Sequence, residues 1–92
     1  MITINVKINT QNEAIDLVKK ASLLECDANF TNGRCFVDAK SILGVLSADF
    51  SSECKIIILA DKIDEQIQNF LDSIKENVIK VEVVNEKSWL FW

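Results

Sequence analysis

With 92 residues, 49% of them hydrophobic, the chain has material for one compact domain spanning 1–92 and too little for two ordinary cores. A formal charge of −4, from 14 acidic against 10 basic residues, argues against a protein whose main work is holding nucleic acid backbone or an anionic membrane, and no stretch approaches the roughly 20 apolar residues of a membrane span. Histidine is absent and Cys26, Cys35 and Cys54 lack paired spacing, so no metal site is expected, and the thiols read as reduced and packed in a cytosolic setting, with one disulfide or a reactive thiol as the competing reading.

In chain order, Ile2, Ile4, Val6 and Ile8 alternate with Thr3, Asn5 and Lys7, the two-residue period of a strand with one buried face. Thr10 or Asn12 then caps a helix in which Ala14, Ile15, Leu17, Val18 and Ala21 follow three- and four-residue steps, with Lys19 and Lys20 near its end. Cys26, Ala28 and Phe30 alternate as a second strand. Asn32-Gly33 predicts a tight turn, and Arg34 to Val37 the return strand. Ser41 precedes a short apolar helix through Ile42, Leu43, Val45 and Leu46, and the β-branched run Cys54 to Ala60 predicts a central strand. Asp61 is expected to cap a third helix, with Asp64 and Glu65 in its first turn and Ile63, Ile67, Phe70, Leu71, Ile74 and Val78 along one stripe. Acidic residues at that position serve the helix dipole and form no evident acid/base pair, so little in the sequence supports an enzyme.

This order predicts an α+β fold with three helices on one face of an antiparallel sheet. Together with the segment Asp38-Ala39-Lys40-Ser41-Ile42-Leu43-Gly44-Val45-Leu46-Ser47, it resembles HPr, the histidine-containing phosphocarrier family of the bacterial sugar phosphotransferase system, whose regulatory-serine block reads Lys-Ser-Ile-Met-Gly-Val-Met-Ser. Asn32-Gly33-Arg34, Lys20-Ala21-Ser22 and Ile56 to Asp61 are similar to the family's hairpin, the end of its first helix and its last strand. The resemblance covers residues 2 to about 78. It implies an open-faced sandwich with a four-stranded antiparallel sheet, a phosphocarrier surface, no cofactor, and protein partners among phosphotransferase components or a serine kinase.

The departures shape the expected function. Counting back from Lys20-Ala21-Ser22, the family's Gly-Ile-His-Ala-Arg-Pro loop places Thr10 at the active histidine, Asn12 at the arginine and Glu13 at the proline. Phosphohistidine transfer needs an imidazole nucleophile and benefits from an arginine and a helix N-terminus around the phosphoryl oxygens. A threonine hydroxyl without an adjacent base is a poor substitute. The expectation is therefore a protein that carries no phosphohistidine and acts as a regulator or adaptor, with Ser41 as the phosphorylation candidate and Lys40, Ile42 and Leu46 as partner-binding candidates. The competing readings are a plain N-cap at Ser41 beside core residues, and a degenerate domain used for self-association or an unrelated partner. Residues 78–92 extend past the family's usual end: Val78, Lys80 and Glu82 alternate with Ile79, Val81 and Val83 in the pattern of an added strand, and Trp89-Leu90-Phe91-Trp92 follows. That tail has three readings: folding back over the open sheet face, pairing with the sheet edge of another copy as a homodimer, or presenting its aromatics to a partner protein.

Overall fold

The computed structural model describes residues 1–84, and the aromatic tail Trp89 to Trp92 lies outside them. The described elements are β1 (Ile2–Val6), α1 (Gln11–Ala21), β2 (Ala28–Thr31), β3 (Phe36–Asp38), α2 (Ile42–Ser47), β4 (Cys54–Ile58), α3 (Glu65–Ser73) and β5 (Val78–Val83). The strands form one antiparallel sheet in the order β3-β2-β4-β1-β5, so the isoleucine-rich β4 is central, as its composition predicts.

Alternation sorts the sheet into two faces. Ile2, Ile4 and Val6 pair with Ile58, Ile56 and Cys54, and all six are fully buried. Phe30 lies opposite Ile56 on β2, so it continues the same buried row. Onto this face come Ala14, Leu17, Val18 and Ala21 of α1, Val45 of α2, and Ile67, Phe70 and Leu71 of α3. Each large aliphatic or aromatic side chain gains about 1.5–3 kcal/mol on transfer from water, which chain entropy largely offsets. The intervening residues, Thr3, Asn5, Asn29, Lys55 and Ile57, make the other, more open face.

Four expectations are corrected. The third helix is capped by Asp64, whose carboxylate accepts from Ile67 N at 2.8 Å, rather than by Asp61. Both are cap-type residues, but only Asp64 stands three positions ahead of Ile67, the first helical residue buried in the core. That helix ends at Ser73, and Val78 belongs to β5 instead of its stripe. The hairpin connection is a loop over residues 32–35, with only Gly33 at positive φ (+92°). Asn32 Oδ1 accepts from Arg34 N and Cys35 N and closes the loop in place of a tight two-residue turn, so the return strand starts at Phe36. Cys35 is consequently exposed, whereas Cys54 is buried and Cys26 half-buried; all three are free thiols.

The fifth strand pairs with β1, and it carries a bulge. Ile2, Thr3, Ile4 and Asn5 face Val83, Glu82, Val81 and Lys80, but Val6 faces Val78, leaving Ile79 as the extra residue. The bulge places Val78 on the same side as Val81 and Val83, where plain alternation from Val78 would group it with Lys80 and Glu82.

Candidate functional site

Two helix N-termini carry the candidate chemistry, and both are closed by the same kind of cap bond. At α1, Thr10 is the N-cap in extended backbone (φ −138°, ψ 159°), and its hydroxyl oxygen accepts from Glu13 N at 3.1 Å. At α2, Ser41 is the N-cap (φ −100°, ψ 112°), and its hydroxyl oxygen accepts from Gly44 N at 3.1 Å. Each hydroxyl satisfies an amide that has no partner inside its own helix.

The third helical position separates them. Glu13 turns its carboxylate back over the α1 terminus, where Oε1 accepts from Asn9 N at 3.1 Å and from Asn77 Nδ2 at 2.6 Å. Asn77 is itself fixed: its Nδ2 also donates to Lys7 O at 3.0 Å, and its carbonyl accepts from Lys7 N at 2.8 Å. A fixed anion thus already stands at the positive end of α1. The hollow beside it is lined by Glu13, Asp16, Asp72 and Glu76 against Lys20 and Lys75, and the Lys20 ammonium is paired with Asp16 at 2.7 Å. Asn12, on the exposed first turn, supplies no cation.

Gly44 occupies the third position of α2 and has no side chain to offer. A Cβ there would meet Ser41 Oγ and Val37 Cβ at 3.2 Å each, so the cap and the β3 strand together leave room for glycine. The only carboxylate in residues 38–47, that of Asp38, accepts from Lys40 N at 2.9 Å. The Lys40 ammonium is committed elsewhere, donating to Leu24 O at 2.7 Å beyond the end of α1. Lys40 therefore ties α2 to α1, a use that its place in the sequence does not reveal.

Of the apolar partner-binding candidates, Ile42 is 42% exposed and Leu46 is half-buried against the core. The most exposed apolar residue of α2 is Leu43, at 83%, although the plainest reading of the sequence groups it with the core. Val45 takes the buried position instead.

Between the segment that leads into α1 and the C-terminal end of α2 lies a cleft of about 480 Å³ lined by Lys7, Ile8, Asn9, Ala48, Asp49, Phe50 and Ser51. Its polar groups are engaged with one another. Lys7 Nζ donates to Ser51 O at 2.6 Å, and Asp49 Oδ1 accepts from Ser51 N at 2.9 Å. The hydrogen bonds from the Ser51 side chain and then its backbone hold the Asp49 carboxyl below its usual range. Among the described residues, no cluster of three or more histidine, cysteine, aspartate or glutamate residues is arranged to hold a metal ion, and no helix is long and apolar enough to cross a membrane.

An open antiparallel sheet with three helices on one face defines a small open-faced α+β sandwich. The sequence model of the family described as PTS HPr component phosphorylation site matches residues 3–87, and the chain belongs to this HPr family. No curated protein and no solved structure matches the chain.

Proposed function

We propose that this HPr-family protein is a cytoplasmic regulatory adaptor that binds protein partners without carrying phosphohistidine, and that phosphorylation of Ser41 switches it. The observation that carries this reading is the contrast at the third helical position. Thr10 and Asn12, which the family's motif sets at the active histidine and arginine, lie on a helix end already occupied by the Glu13 carboxylate. An incoming phosphoryl group there meets like charge, no imidazole and no guanidinium.

The α2 end differs in the respect that matters most to a phosphate: Gly44 puts no carboxylate at its third position. A phosphoserine brings a charge of about −1.5 to −2 and three acceptor oxygens, which suit backbone donors and a helix N-terminus without a competing carboxylate. Gly44 N supplies one such donor. Ile42, Leu43 and Leu46 on the same helix give the switch an apolar surface to control, of the kind protein partners cover. Phosphotransferase components and a serine kinase are the partners this chemistry favours.

Two tubes followed by intact mass test the proposal. With the general phosphotransferase enzyme and phosphoenolpyruvate, no mass shift is expected. With an HPr serine kinase and ATP, one phosphate is expected on the protein and none on Ser41→Ala. A shift in the first tube, or none in the second while a conventional HPr shifts, overturns the reading. A second reading, self-association, is favoured by a separate observation: the exposed outer edge of β5.

A further inference from the structure

The outer edge of β5 reads as its own complement. Through residues 78–84 the sequence runs Val-Ile-Lys-Val-Glu-Val-Val, with Val81 at its centre, one cation and one anion flanking it, and aliphatic residues beyond. Reversed, the pattern keeps its apolar positions and exchanges the two charges. We propose that two copies of this chain pair antiparallel through β5 about a two-fold axis at Val81, joining their sheets edge to edge. The proposal rests on the self-association reading and gives it a register.

In that register Val81 lies opposite Val81 of the second copy, Lys80 opposite Glu82, Glu82 opposite Lys80, and Ile79 opposite Val83. Opposite charges directly across an antiparallel pair stabilise it, and like charges destabilise it. A two-fold contact needs such a self-complementary surface.

The backbone is set for the same pairing. Met1 and Val84 exchange both main-chain hydrogen bonds, Val84 N to Met1 O at 2.8 Å and Met1 N to Val84 O at 3.0 Å. Counting along the strand from this bonded pair, the N–H and C=O groups of Val83 and Val81 point away from β1. They form a row of donors and acceptors on the outer edge, available to an added strand. Among the described residues β5 has one neighbour in the sheet, β1.

Exposure marks the same stretch. Ile79, Val81, Val83 and Val84 are all large apolar residues left exposed, at 38–55%. The opposite sheet edge, β3, is only three residues long, whereas β5 has six. Short edges resist pairing, and long apolar ones invite it. The single edge cation also acts as a filter: Lys80 repels a basic strand and is matched by Glu82 of a second copy. Within one chain the two form an ion pair across the open face, so the side chains have only to exchange partners.

Sedimentation equilibrium of the full chain, from micromolar to millimolar, tests the inference. The expected result is a monomer–dimer equilibrium. Lys80→Glu and Glu82→Lys each set two like-charge pairs across the axis and are expected to weaken self-association by about tenfold. Mixed together, the two variants match again, because a chain with glutamate at both positions then faces one with lysine at both. They are expected to form the heterodimer in preference to either homodimer. Both single variants also lose the intrachain pair, so rescue by mixing reports charge pairing between two β5 strands and not the loss of that pair. Circular dichroism of each variant verifies that the fold is kept. A chain that stays monomeric overturns the inference together with the self-association reading. Dimers that ignore both substitutions, or variants that fail to rescue each other, overturn the register alone.

Discussion

The N-termini of α1 and α2 are two versions of one device, and what distinguishes them is a single side chain three residues into each helix. Both begin with a hydroxyl cap that accepts the third-position amide at 3.1 Å. At α1 that position is Glu13, whose carboxylate bonds Asn9 and Asn77; at α2 it is Gly44, held to glycine by Ser41 and Val37. A carboxylate inside the first turn stabilises a helix and closes it to phosphate, whereas glycine costs helix propensity and leaves the end open. The same backbone electrostatics are thus matched by a side-chain carboxylate at one end and by none at the other.

The largest effect expected from this contrast is all-or-none. Replacing Thr10 by histidine alone is predicted to give no phosphoryl uptake from the general phosphotransferase enzyme, because Glu13 still occupies the helix end. The triple change Thr10→His, Asn12→Arg, Glu13→Ala is predicted to give measurable uptake by intact mass; uptake by the single variant would mean that the carboxylate is no barrier.

Stability measurements sharpen the same comparison. Glu13→Ala removes the carboxylate that links Asn9, α1 and Asn77, with an expected loss of about 2 kcal/mol in urea unfolding. Asn77 retains its bond to Lys7 O, which keeps the loss from being larger. At α2, Gly44→Ala would ordinarily gain about 1 kcal/mol of helix propensity. Here the new methyl group meets Ser41 Oγ and Val37 Cβ at 3.2 Å, and the hydroxyl retreats only by lengthening its cap bond. Overpacking of this kind costs about 1–3 kcal/mol, so a net loss near ~1 kcal/mol is expected, and a gain would show that the site has slack.

Removing either cap is predicted to cost about 1 kcal/mol, with Thr10→Ala and Ser41→Ala alike within error, since the two bonds have the same length. The smallest effect belongs to the cleft between the helix ends. Because Asp49 titrates below its ordinary value of 3.8, its ionised form favours the folded state, fully so at neutral pH. That contribution is lost as pH falls below 3.8 toward the folded value. Asp49→Asn should therefore lower stability slightly at neutral pH and flatten the acid limb of the stability profile.

Much of this was legible in the sequence because it depends on neighbours along the chain. The strand alternation of Ile2 to Ile8, the central position expected for Cys54 to Ala60, and the Ser41 cap all follow from residues within one turn or one pleat, whereas at α1 the sequence offered Thr10 or Asn12 and the structure selects Thr10. Where two local signals competed, the sequence was less decisive. Asp61 and Asp64 are both acceptable caps, and the core-facing Ile67 selected the second. Asn32-Gly33 fits a tight turn, and the Asn32 carboxamide made a longer loop instead.

Composition and local pattern by themselves determined the absence of histidine, the periodicity of the strands and helices, the Ser41 cap and an alternating C-terminal segment. Only the tertiary structure brought Asn77 to Glu13, 64 residues away, sent the Lys40 ammonium to Leu24 and set β5 beside β1 with Ile79 bulged. The physical reason is range. Caps and periodicities are fixed by atoms a few residues apart, whereas the occupancy of a helix end and the identity of a sheet edge depend on which distant segments the closed core delivers there.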